Sequence, residues 1–219
     1  MKTLIGIVTF GNLPFTQLTI RSIQETTRSP VDFFIIVGKP EDQATATWLE
    51  EMHLDYNWHR DLNRGFPASI NDIYDYAWPR GDGLTNIERD YDHVIIAGND
   101  IVAYPNAVDA LIDCAATTDW EWICSSQFDS RSLVERYPAA RPFFIGPHLR
   151  FSDFAARPWE LHQEFHPPGL QPDCIKDVRN LCLFKRSVFE KIGYADVNFY
   201  PGGYFEDNDY CVRGHRAGV

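Results

Sequence analysis

Long apolar runs are missing from this chain. None approaches the roughly 18–20 residues needed to cross a bilayer, and the opening MKTLIGIVTFG is too short and too soon interrupted for a signal peptide. A soluble, cytoplasmic protein with no transmembrane segment is expected. Basic charge is also scarce: 20 Lys and Arg stand against 31 Asp and Glu, for a formal charge of −11. No Lys/Arg cluster could follow a phosphate backbone, which argues against nucleic acid as a partner. The five cysteines are odd in number and widely spaced, with no CxxC. Neither a disulfide framework nor a zinc knuckle is indicated, and reduced, mostly buried thiols are expected. Three motifs are missing as well: GxxxxGK[ST] for a phosphate loop, GxSxG for a hydrolase nucleophile and GxGxxG for a dinucleotide turn. His162 and His166 have the spacing of a zinc-binding helix, but Gln163 occupies the place of the glutamate a metalloprotease needs.

What the chain does have is core-forming material. Hydrophobic residues make up 44% of its 219 positions and aromatics 14%, enough for a sizeable interior. With no repeat, low-complexity tract or linker, residues 1–219 are expected to form a single domain, divisible into halves 1–103 and 104–219. In the first half, apolar strands alternate with helical periodicity. Strands are expected at Thr3–Thr9, Val31–Val37, Leu54–His59, His93–Ala97 and Trp120–Ser125. Helices are expected around Phe15–Ile23, Gln43–His53, Phe66–Ala77 and Pro105–Ala115, the last opened by proline in its first turn. Such alternation implies a mostly parallel sheet with helices on both faces. From Gln127 to Asp173 the period vanishes in a stretch dense in Pro, Arg, Phe and His. A strand near Asn180–Phe184, a helix from Ser187 stopped by Gly193, and an acidic final helix complete the pattern.

Ligands of open parallel sheets bind beyond the carboxyl ends of the strands. Those ends read Thr9-Phe10-Gly11-Asn12, Val37-Gly38-Lys39, Asn63-Arg64-Gly65 and Gly98-Asn99-Asp100. Asp100 directly follows a fully apolar strand, and a carboxylate so placed suits a hard divalent cation. Mg²⁺ and Mn²⁺ favour oxygen ligands and bridge to substrate phosphates, so one or two protein carboxylates suffice. Near the end, Glu206, Asp207 and Asp209 crowd within four residues, a cluster that needs a cation, hydrogen-bond donors or solvent. Within a helix, Asp209 and Arg213 fall at i and i+4 and can pair, which leaves Asp207 on a different face.

In order along the chain, IVTFGN (7–12), NRGFPASIN (63–71), HVIIAGNDIV (93–102) and YFEDNDYCVRGHRAG (204–218) resemble the motifs of GT-A fold glycosyltransferases, in particular the family 2 group. The resemblance covers nearly the whole chain. It implies a Rossmann-like, mostly parallel sheet flanked by helices, with the irregular region on the acceptor side. The first half would bind a nucleotide-diphosphate sugar, and the second would bind the acceptor and carry the catalytic group. Thr9, Phe10, Gly11, Asn12, Gly38, Asn63, Gly65, Asn99 and Asp100 would contact the donor. Asp100 would hold Mn²⁺ or Mg²⁺ on its diphosphate, Asp207 would be the general base, and Glu206 its catalytic neighbour. The activity implied is an inverting transfer to a glycan, lipid-linked or other hydroxyl acceptor. The chain departs from the family at Gly38, where an acid usually helps recognise the base, and at Gly98, the first position of the usual D-x-D triplet. Those departures keep two alternatives open: a glycosyltransferase-like binding protein with weakened turnover, or a nucleotidyltransferase of similar fold.

Overall fold

The computed structural model describes residues 1–79, 89–103, 105–125, 144–145, 148–149, 181–198 and 206–219, with the backbone alone for 144–145, 148–149 and 206–208. The strands are β1 (Thr3–Thr9), β2 (Val31–Val37), β3 (Asp55–Trp58), β4 (His93–Gly98), β5 (Trp122–Cys124), β6 (Phe144–Ile145), β7 (His148–Leu149) and β8 (Cys182–Lys185). The helices are α1 (Leu13–Thr26), α2 (Gln43–Glu51), α3 (Gly65–Ala77), α4 (Ala107–Thr117), α5 (Arg186–Ile192) and α6 (Glu206–Arg216). One six-stranded sheet runs β3-β2-β1-β4-β8-β5. The first four strands are parallel, while β8 is antiparallel to both β4 and β5. The expected mixed architecture with a mostly parallel sheet is therefore the observed one. Inside the aperiodic stretch, β6 and β7 pair as a small antiparallel ribbon.

Alternation along β1 builds two separate cores. Ile5 and Ile7 face Ile20 and Ile23 of α1, Leu49 of α2, and Leu111 and Ile112 of α4. On the opposite face, Leu4 lies with Ile73 and Tyr74 of α3, Val188 of α5 and Tyr210 of α6. Gly6 points at α3 too, and a β-carbon there would lie 2.5 Å from Ile73 Cγ2. The missing side chain is what lets α3 settle directly on the sheet.

Most boundaries shift by one to three residues from the sequence reading, and at two of them left-handed backbone gives the reason. Helix α4 opens at Ala107 rather than at Pro105, because Asn106 adopts a left-handed φ of 65° that cannot lie within a right-handed helix. Strand β8 begins at Cys182, since Leu181 has a φ of 78° and turns the chain into the ladder. Gly193 ends α5 with a φ of 72°, as expected of a glycine stop.

Asp109, in the first turn of α4, is nearly buried and ties that helix to the α1–β2 loop. It accepts hydrogen bonds from the backbone N–H groups of Arg28 and Ser29 and, at 2.7 Å, from the Ser29 hydroxyl. Burial works to raise its pKa, but the Ser29 hydroxyl, the two backbone N–H groups and the Arg28 charge outweigh it and hold the carboxyl below its ordinary value. A depressed carboxylate pKa adds stability that is present above the unfolded value of about 4 and is lost as pH falls through the folded value. Asp109→Asn should therefore lower unfolding free energy by about 1–2 kcal/mol at pH 7. Urea titrations over a pH series should show the difference from wild type closing below about pH 3–4.

Candidate functional site

The parallel strands end in register. Thr9 pairs with Val37, and Val37 with Trp58. The next residues, Phe10, Gly38 and His59, consequently form a row one step beyond the sheet. Backbone bonds continue into that row, from Gly38 N to Thr9 O at 2.9 Å and from His59 N to Val37 O at 3.0 Å. Thr9 is fully buried, whereas Phe10 is 60% exposed. A β-carbon on Gly38 would sit 3.1 Å from Thr9 O, 3.8 Å from the Phe10 ring and 3.9 Å from Ser69 Oγ. The ring of Phe10 thus stands beside Gly38, whose bare backbone leaves room for it.

The β1–α1 turn depends on two left-handed residues, Gly11 at φ 81° and Asn12 at φ 64°. From the end of β4, Asn99 Nδ2 donates to Gly11 O and to Thr16 Oγ1, each at 3.0 Å. One amide therefore pins two strand ends together. Asp100 follows Asn99 in the same tight turn, with its side chain exposed. At the head of α3, Asn63 Oδ1 accepts from Gly65 N at 2.9 Å, and Gly65 takes a φ of 79°. Ser69 Oγ, donating to Gly65 O, brings that helix start up to Gly38. Thr9, Phe10, Gly11, Asn12, Gly38, Asn63, Gly65, Asn99 and Asp100 are all on this one carboxyl edge.

The carboxyl-terminal candidates are placed only in part. Glu206 and Asp207 open α6, as expected of an acidic helix start, and their side chains lie outside the described residues. Asp209 pairs with Arg213 as its spacing implied, with Arg213 Nε 2.8 Å from Asp209 Oδ2. The same guanidinium reaches the carbonyls of Ile192 and Tyr194, so this ion pair fastens α6 to the end of α5. The pair His162 and His166 and most of Gln127–Asp173 also lie outside the described residues.

Several residues at this edge were given no role in the sequence reading. Lys39 extends back over the β1–α1 turn, its Nζ 3.8 Å from where a Gly11 β-carbon would be. Beside it, Arg60 lies 4.5 Å above the ring of Trp58, whose Nε1 donates to the Lys39 carbonyl. Asp72 of α3 receives His59 Nε2 at 2.7 Å, Arg64 Nη1 at 2.8 Å and Asn57 Nδ2 at 3.2 Å. The imidazole of His59 is buried, and its Nδ1 has no hydrogen-bond partner among the described residues. The available clue was spacing: Asn57 and His59 share one face of a strand, and Asp72 directly follows NRGFPASIN.

Among the described residues, no three His, Cys, Asp or Glu side chains converge on a point where a metal ion could be fully caged. A single exposed carboxylate such as Asp100 fits instead an oxygen-seeking ion that keeps its waters and shares substrate phosphates. No helix among the described residues is long and apolar enough to cross a membrane.

Asp72 carries the architecture of this rim. Asp72→Ala should lower unfolding free energy by about 2–3 kcal/mol, because it strands a buried imidazole. Arg64→Ala should cost under about 1 kcal/mol, since that guanidinium is half exposed. Chemical denaturation of the two variants checks the order.

No family model and no curated protein matches the chain. Solved structures do. A mannosyltransferase of Pyrobaculum calidifontis, PcManGT, in complex with GDP-Man and Mn²⁺, aligns over 95% of this chain and 50% of its own, at 12% identity and a TM-score of 0.56. Glucosyl-3-phosphoglycerate synthase of Mycobacterium tuberculosis, with Mn²⁺, UDP and glucosyl-3-phosphoglycerate, aligns over 99% of this chain and 66% of its own, at 13% identity and a TM-score of 0.59. Residues 1–349 of TarS from S. aureus align over 98% and 55%, at 10% identity and a TM-score of 0.56. The chain spans about half to two thirds of the length of these structures. Identity so low speaks for architecture alone, and the architecture shared across almost the whole chain is that of the GT-A glycosyltransferases.

Proposed function

We propose that the protein is a metal-dependent, inverting glycosyltransferase that moves a sugar from a nucleotide-diphosphate sugar to a hydroxyl of a glycan, lipid-linked or other acceptor, in a cytoplasmic setting. The observation that carries this reading is the convergence of four turns, Thr9–Asn12, Gly38–Lys39, Asn63–Gly65 and Asn99–Asp100, on the carboxyl edge of a sheet with this fold. Polar backbone in left-handed turns, an exposed aromatic ring and a carboxylate at one edge form a surface for a flat base followed by phosphates.

Each group then has a duty. Phe10 and the ledge at Gly38 receive the nucleotide, and Asn99 holds the β1–α1 turn in the shape that receives it. Asp100 holds Mn²⁺ or Mg²⁺, which when bound supplies Lewis-acid stabilisation of charge on the departing diphosphate. Asp207 accepts the acceptor's hydroxyl proton while that oxygen bonds to the anomeric carbon and the bond to the diphosphate oxygen breaks. Base and leaving group on opposite faces give inversion. Glu206 orients the acceptor or tunes Asp207, and the span from Gln127 to Asp173 contributes acceptor contacts.

Two variants test the assignment with separate readouts. Asp207→Asn should lower the transfer rate by roughly 10²- to 10⁴-fold while donor affinity and melting temperature hold, as expected for a lost general base. Wild-type turnover in that variant would move the base elsewhere. Asp100→Ala should weaken calorimetric binding of a nucleoside diphosphate by about tenfold or more in Mn²⁺, and its affinity should match that of wild type in EDTA. Equal affinity of both proteins with and without metal would remove the ion from the mechanism.

A further inference from the structure

The chain leaves the sheet after β5 and re-enters it at β8, and a cysteine stands at each point. Cys124 is directly opposite Cys182 in the antiparallel ladder. The bonds Lys185 N to Glu121 O and Ser125 N to Leu181 O mark the pairs 121–185 and 125–181 as hydrogen-bonded. Hydrogen-bonded and non-hydrogen-bonded pairs alternate along such a ladder, so 122–184 and 124–182 are the non-bonded ones, where opposed Cα atoms approach to about 4.5 Å. The neighbouring pair behaves accordingly, with the rings of Trp122 and Phe184 packed at 5.0 Å between centroids. A disulfide accepts Cα separations from about 4.4 to 6.8 Å, a range that includes the spacing of such non-bonded pairs.

Both side chains lie on the face that packs against α3, α5 and α6. Cys182 is wholly buried, Cys124 is half-buried, and both are thiols in the structure. Cys182 is also opposite Ile96, two residues before the Gly98–Asp100 turn.

We propose that Cys124 and Cys182 form a site of reversible oxidation, a cross-strand disulfide that clasps the two roots of the segment 125–181 at the edge of the sheet. With a peroxide as oxidant, the Cys124 sulfur takes one peroxide oxygen as its O–O bond breaks, giving a sulfenic acid and one water. The Cys182 sulfur attacks that sulfur, the S–S bond forms, the S–O bond breaks and a second water leaves. Two thiols lose two electrons and two protons, and one peroxide is reduced to two waters. Cys124 reacts first because it is the one a small oxidant can reach, and Cys182 resolves it. The bridge closes a long loop in the unfolded chain, the situation in which a disulfide stabilises most.

The test is independent of the transferase reading, because no readout needs donor or acceptor. The full-length wild-type protein is treated with hydrogen peroxide, digested without reduction and mapped by mass spectrometry. A linked peptide carrying Cys124 and Cys182, about 2 Da lighter than the two thiol peptides together and released by dithiothreitol, is the expected result. The oxidised protein should melt roughly 5 °C or more above the reduced form, and Cys124→Ser should lose both the link and the shift. Because Cys182 is buried and its replacement could impair folding, the wild-type map is the deciding measurement. Linkage of either residue to Cys174 or Cys211, or oxidation that ends as sulfinic acid on Cys124, would overturn the pairing. A linked protein that melts no higher than the reduced one would overturn the clasp.

Discussion

The contact of Ile73 with the bare backbone of Gly6 governs more of this molecule than any other. Strand β1 is central to the parallel half, bonded to β2 on one side and β4 on the other, and Gly6 is its midpoint. Because no β-carbon occupies that point, α3 lies against the strand itself, and its amino terminus comes to rest beside the end of β2. Any larger residue would lift the helix, since close-packed interiors have no slack for an added methyl group. The position of Asn63 and Gly65 at the rim is therefore a packing result before it is a chemical one.

The rim has an electrostatic character at odds with the chain as a whole. A protein of net charge −11 presents Lys39, Arg60 and Arg64 around the ends of β2 and β3. Asp72 neutralises part of this cluster, and its three donors fix the side chains of Asn57, His59 and Arg64 in one arrangement.

β1 and β2 occur where the apolar runs were read. Central parallel strands are legible because most of their side chains meet a core on one face or the other. The edges were harder. The start of α4 and the start of β8 are set by left-handed residues, Asn106 and Leu181, and a left-handed leucine has no composition signal at all. At the site, the turn residues were legible since glycine and asparagine mark left-handed backbone. The contacts of Lys39 and the Asp72 network were not, because their partners come from separate elements, and only the register between strands brings them together. The antiparallel insertion of β8 was likewise invisible, since an apolar run does not record its own direction.

That insertion shapes how the protein can be made. Strand β8 follows β5 in the chain yet lies between β5 and β4 in the sheet. On a ribosome, β1 to β4 can assemble as soon as Gly98 has emerged, while β5 has no strand to join until Cys182–Lys185 is synthesised. Throughout that interval β4 offers an open edge of backbone N–H and C=O groups, flanked by the apolar faces of Val94, Ile95 and Ile96. A chain halted before residue 182 would keep that edge permanently, and it would pair with whatever strand came within reach, including the β4 of another halted chain.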